Sequence, residues 1–248
     1  MLNRSGGIMA KRVLLVRGGS LGRNTGLGAA HHNLVDLLEN GKIEGWELAG
    51  VCEYPLEKTK NPLSRIWQRW SAHPRRIAKE INRLVRNSQC DLVHITDQEQ
   101  AHLMPQNCPV PGVITIHDLF HLFPARLQFS DEVIAVGDTK PGIVRRRDLH
   151  KLKAGIKRAN HLLCNSKHTL EAAKQHFPNV ASRPLPLGID SAKYHPDNNQ
   201  PIQLELPDKC NLLVVGSNDP RKRMKFLCKV IASPVSYTHL TLPTIRWV

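Results

Sequence analysis

A chain of 248 residues, 41% of them hydrophobic and 23% charged, has globular composition and enough apolar material for one or two domains. No apolar run approaches the ~20 residues that span a bilayer. Six widely spaced cysteines (Cys52, Cys90, Cys108, Cys164, Cys210, Cys228) with no C-x-x-C pair argue against a disulfide framework or a thiolate zinc site and fit a reduced, cytoplasmic setting. The formal net charge of +14 points to an anionic partner: a phosphate, a nucleic acid or an acidic membrane surface.

The opening residues 1–8 are polar and contain glycines, and Met9 directly precedes the basic pair that leads into the first apolar run, so either Met1 or Met9 serves as the start. Residues 13–16 read as a short buried strand. They open into Gly18-Gly19-Ser20-Leu21-Gly22-Arg23, followed by a helix over 26–39 with Leu34, Leu37 and Leu38 on one side. Strand, glycine loop and helix are how mononucleotide-binding α/β domains open. The loop lacks the K-[ST] of a P-loop, and its glycine spacing misses G-x-G-x-x-G.

A second strand is expected over 46–52 and a basic amphipathic helix over 64–86, broken or kinked at Pro74. That helix reads as the outer helix of a βαβ unit with a wet basic face, or as one lying on an anionic membrane. Strands over 91–95 and 112–116 follow, the first running into Thr96-Asp97 and the second into His117-Asp118. Ligands of parallel α/β sheets gather beyond the carboxyl ends of strands, which singles out His117, with Asp97 and Asp118. Residues 120–142 read as an irregular, mobile loop near the site. A strongly basic helix is expected over 144–159, a strand over 161–165, and a helix from the N-cap Ser166 to about Phe177. A further strand is expected over 183–187. Alternating strands and helices predict a mostly parallel sheet covered on both faces.

Residues 201–210 read as a linker. Beyond it, 212–215 is a short apolar run ending at Gly216, followed by Pro220, Arg221 and Lys222 and then by apolar positions at helical spacing as far as Ile231. The pattern predicts a fresh strand, glycine turn and helix over 211–232. The helix start with two cations is either a phosphate site or an ordinary solvated basic face.

With these segments laid out, the chain resembles glycosyltransferase family 4. Four places carry the resemblance: the 18–23 loop, similar to a G-G-x-x-G/R opening; VITIHDL at 113–119; LLCNSKHTLEAAKQHF at 162–177 with RPLPLGIDSAKYHP at 183–196; and VVGSNDPRK at 214–222. The resemblance implies the GT-B fold, two Rossmann-like domains facing across a cleft. Residues 9–200 would form the acceptor-side domain and 211–232 only the first strand and helix of the donor-side domain. It implies a retaining, metal-independent transfer of a hexose from a UDP- or GDP-sugar to a glycan or lipid-linked acceptor. By match, Lys222 and Arg221 would hold the donor diphosphate and His117 would approach the transferring sugar. Gly18, Gly19, Gly22 and Gly216 would sit against phosphates or acceptor. Lipid-linked acceptors would put the protein in the cytoplasm or peripherally at the inner membrane face. Ser217 stands where many members have arginine, and the E-x7-E segment of the family is absent.

The run VSYTHLTLPT at 235–244 breaks off the last helix without a cap and can be encoded by a sequencing-library adapter end, so 233–248 is expected to be a non-native tail on a truncated, inactive chain. Two other functions compete. A nicotinamide-dependent oxidoreductase or epimerase is disfavoured by the glycine spacing. A basic module for nucleic acid or acidic lipid is disfavoured by aromatic content of only 5%, not interleaved with the basic runs as base stacking requires.

Overall fold

A computed structural model describes residues 10–19, 21–54, 61–129, 132–189 and 222–232, together with residues 191, 195, 197, 212–214 and 216. The chain divides into two compact units, residues 1–124 with 137–189, and residues 125–136 with 190–248.

The first unit is an α/β layer structure built on a six-stranded sheet. Its strands are β1 (Lys11–Arg17), β2 (Trp46–Glu53), β3 (Leu92–Ile95), β4 (Gly112–Ile116), β7 (His161–Cys164) and β8 (Ala181–Pro184). Their order in the sheet is β2-β1-β3-β4-β7-β8, and every neighbouring pair is parallel. The chain therefore steps from β1 to one side, then returns to the other side of β1. That reversal between β1 and β3 is the topological switch point of a doubly wound sheet.

Side chains alternate between the two faces of a strand, and here the two faces differ in chemistry. One face carries Leu14 and Val16, Val93 and Ile95, Ile114 and Ile116, and Leu162 and Cys164, all buried in one apolar cluster. It packs against α3 (His73–Arg86) through Ile77, Ile81 and Leu84, and against α4 (Ile143–Ile156) through Leu149, Leu152 and Ile156. The other face carries Val13 and Leu15 against Val35 and Leu38 of α1 (Gly26–Glu39). Toward the carboxyl ends of the strands this second face turns polar: Arg17, His94, Thr96 and Thr115 are all buried there.

The helices start where the caps require. Thr25 caps α1 by accepting the Gly28 N–H at 3.0 Å. Ser166 caps α5 (Lys167–His176) by accepting the Thr169 N–H at 3.1 Å, as its residue type predicts. Pro74 does not break its helix. A short α2 (Pro62–Trp67) runs into a π turn at Gln68–Ala72 and then into α3, with Pro74 in the first turn of α3 directly after the π turn. Arg69 and Trp70 of that turn both donate to Asp148 of α4, at 2.7 and 3.0 Å, and Arg145 donates to the same carboxylate at 2.9 Å. Burial works against ionising Asp148, yet its bonds to Arg69 and Trp70 hold its pKa below the usual carboxylate range.

Three expectations change. The predicted loop 120–142 contains an antiparallel hairpin, β5 (Ala125–Phe129) with β6 (Glu132–Val136), which belongs to the second unit. The strand expected over 183–187 sits two residues earlier in β8, because pairing with β7 sets its register. In the second unit, residues 212–214 are exposed and not in a strand, since no described neighbour pairs with them; the helix predicted after them is present as α6 (Met224–Ala232). The linker expected at 201–210 and the tail expected at 233–248 lie outside the described residues.

Candidate functional site

The polar ends of β1, β3 and β4 form one connected network at the switch point. Arg17 closes β1 with a side chain only 3% exposed. Its Nε donates to the Gly19 carbonyl at 2.6 Å, and its Nη2 lies 3.7 Å from Asp97 Oδ2. Its Nη1 is buried with no hydrogen-bond partner among the described residues. Burial pulls the pKa of this guanidinium down, and the Asp97 carboxylate only partly offsets that. A buried cation bonded to a carbonyl of the glycine loop is a fixed positive charge at the carboxyl end of the sheet.

Next to it, His31 of α1 lies 2.9 Å from the Thr96 hydroxyl through Nδ1. Its Nε2 is 3.1 Å from Glu53 Oε1, off the line of a hydrogen bond. Burial, then the nearby Arg17, push the His31 pKa down, so the ring is neutral. His94 pairs with the Thr115 hydroxyl at 2.8 Å, and complete burial drives its pKa down to about 4.

His117 sits one residue past β4 and is half-buried. Its backbone N–H donates to Gln98 Oε1 at 2.9 Å, and its ring Nε2 lies 3.0 Å from the Thr96 carbonyl. A carbonyl can only accept, so Nε2 carries a proton and the lone pair of the neutral ring is on Nδ1. The Thr169 hydroxyl donates to the His117 carbonyl at 3.4 Å. His117 is thus held through its ring by the Thr96 carbonyl, one residue past β3, and through its backbone by Gln98 and by Thr169 of α5, as a group that must present one nitrogen to a reactant requires.

The structure sorts the other expected residues. Gly18 packs on the end of the Gln100 side chain, so a Cβ there would require that amide to move. Gly19 and Gly22 differ: among the described residues, a Cβ at either would meet nothing within 4 Å, so the loop they line is open to that extent. Asp97 is not an open acceptor contact. It is buried, caps the 3-10 turn at Gln98–Leu103 by accepting the Glu99 N–H at 2.9 Å, and pairs with Arg17. Asp118 Oδ1 accepts the Phe120 N–H at 3.3 Å. Gly216 and Lys222 belong to the second unit and come together there: a Cβ on Gly216 would lie 3.7 Å from Lys222 Cγ. Arg221 lies outside the described residues.

Sequence reading alone did not single out Arg17, His31, His94, Thr96 or Gln98. The signal was present in one respect: a charged residue ends the apolar run 13–16 of β1 immediately before a glycine pair. Among the described residues, no group of three or more His, Cys, Asp or Glu side chains is placed to hold a metal ion. No helix there is long and apolar enough to cross a membrane.

No protein-family model matches the chain, and no curated protein does. Solved structures give partial likenesses. A UDP-glucosyltransferase from Polygonum tinctorium is 11% identical, with a TM-score of 0.45 over 79% of this chain and 55% of that one. A UDP-glucose: anthocyanidin 3-O-glucosyltransferase in complex with UDP is 13% identical, with a TM-score of 0.45 over 72% and 53%. A ugt transferase from Siraitia grosvenorii in complex with UDP is 13% identical, with a TM-score of 0.43 over 73% and 50%. The present chain spans about half the length of these proteins.

Proposed function

We propose that the chain is the acceptor-side part of a glycosyltransferase that moves a hexose from a nucleotide-diphosphate sugar to a glycan or lipid-linked acceptor. One observation carries the reading. Arg17, His117 and the open glycine loop converge at the carboxyl ends of β1, β3 and β4, at the switch point where doubly wound sheets take their ligands. The four ordered motifs of the sequence support it independently.

In this reading the departing nucleoside diphosphate gains negative charge as the sugar leaves, and fixed cations stabilise that charge in the transition state. Lys222, with Arg221, supplies the charge on the donor side, and Gly216 lets the backbone approach. His117, its tautomer fixed by the Thr96 carbonyl, directs Nδ1 at the transferring sugar or the acceptor hydroxyl. Arg17 and the loop of Gly19 and Gly22 accommodate a phosphate-bearing or hydroxylated group. Retention at the sugar, a UDP- or GDP-linked donor, independence of metal and a cytoplasmic location are parts of the same proposal. The cationic balance of the chain suits an acceptor at an anionic membrane face.

The test is a panel of nucleotide sugars given to a longer parent chain carrying a complete second domain. The reading expects release of UDP or GDP in the presence of one acceptor class, at a rate that EDTA does not change. The 248-residue chain alone is expected to give none. Absence of release by the parent with every donor and acceptor pair would overturn the proposal.

A further inference from the structure

A cavity of about 470 Å³ lies in the first unit, between the π turn and α3 on one side and α4 on the other, and the segment 102–106 forms part of its lining. It shares no residue with the switch-point network. Its apolar wall includes Trp70 and Met104, and its polar lining includes Arg75, His102, Lys151 and Arg158. No acidic side chain lines it.

The cations here are unevenly placed: Arg75 is exposed and Lys151 half-buried, while Arg158 lacks the partner that an enclosed charge normally has. Arg158 is half-buried, its Nε is enclosed with no hydrogen-bond partner, and burial alone pulls its pKa down. No carboxylate pairs with Arg75, Lys151 or Arg158 among the described residues. Asp148 of α4 is already engaged by Arg69, Trp70 and Arg145. His102 is buried and keeps Nδ1 without a partner. Its pKa is driven to about 3, first by burial and then by Arg69, so it adds no charge of its own. Removing a guanidinium from water without a counter-ion is unfavourable, and an entering anion offsets that.

The apolar wall is fixed in position. The Trp70 indole N–H donates to Asp148, and the cationic ends of Arg147 and Lys151 lie 5.6 and 5.7 Å from its ring centre. The ring is therefore held by a hydrogen bond and by two cations. The cavity falls within the size range of small-molecule sites, roughly 300–1,000 Å³, and has the usual plan of one apolar wall with a few convergent polar groups.

We propose that this cavity binds a small soluble phosphate ester with a ring or other apolar portion, its phosphate on Arg158 and Arg75 and its apolar portion on Trp70 and Met104. This site is separate from the switch point and does not depend on the glycosyltransferase reading. The probe is phenyl phosphate, titrated calorimetrically into the 248-residue chain alongside inorganic phosphate and phenol. Phenyl phosphate is expected to bind saturably and more tightly than either fragment. Arg158→Gln, which removes a charge-assisted contact, is expected to weaken it by about tenfold or more. Ala154→Leu, which fills the cavity from α4, is expected to weaken it as well, with both variants keeping the helical circular dichroism of the parent. Absence of saturable binding, equal binding of phenol, or full affinity in both variants would overturn the assignment.

Discussion

His94 and His102 are enclosed as neutral rings, and this couples the stability of the first unit to pH. Burial lowers their folded pKa values to about 4 and about 3, while in the unfolded chain they titrate near the ordinary histidine value. Between those limits the unfolded state holds more protons than the native one, so stability falls as pH drops from 6.5 toward 4. Each histidine contributes a slope of about 1.4 kcal/mol per pH unit in that window. Urea titrations across pH 4–7 should show the slope, and His94→Gln should remove its share; an unchanged slope in that variant would place the histidine outside the native core. Arg17 poses a related problem of reading. In the sequence it looks like any charged residue at a strand end. Its importance appears only when the sheet buries it beside Asp97 and leaves Nη1 without a partner. His117 was legible because it follows an apolar strand directly, and its position depends only on that strand. The tautomer it adopts was not legible, since it is set by the Thr96 carbonyl, 21 residues away in the chain.

At the scale of elements, what local chemistry determines could be read and what pairing determines could not. α1 runs over the predicted residues, and the Ser166 cap forms as predicted, because a cap and an apolar period lie within one segment. The β5–β6 hairpin was read as loop because its flanking prolines and mixed composition hide the alternation. A break or kink is expected at Pro74, whereas the helical run passes through a π turn just before it, where Arg69 and Trp70 bond to Asp148 from 79 and 78 residues away in the chain. One helix contact is close enough to test. A Cβ on Gly155 of α4 would collide with the Ala101 carbonyl of the 3-10 turn. Gly155→Ala should therefore destabilise the unit by about 1–3 kcal/mol, the usual cost of overpacking, despite the better helix propensity of alanine. Thermal unfolding of that variant checks it, and a raised melting temperature would show that the two elements can separate freely.

For the whole molecule, the order of strands is what turns scattered residues into a site. Strand alternation put an apolar core on one face of the sheet. The same alternation brought Arg17, His94, Thr96 and Thr115 to the carboxyl end of the other face, where the glycine loop opens. The parallel α/β class follows from the alternation of segments, but which strand ends become neighbours depends on the reversal between β1 and β3, which no single segment encodes. The second unit contributes α6 and the Gly216–Lys222 contact, and its chemistry belongs to the proposed donor side. The most direct test of the central claim pairs one substitution with one assay. Among the described residues, a Cβ at Gly19 would meet nothing within 4 Å, so Gly19→Val should leave folding intact while blocking whatever occupies the loop. In the proposed full-length glycosyltransferase, nucleoside diphosphate release from the proposed donor sugar should fall by at least about tenfold in Gly19→Val, consistent with loss of one well-placed contact, at an unchanged melting temperature. Full release by the variant, or a loss of activity matched by a loss of stability, would contradict the placement of the reaction at the switch point.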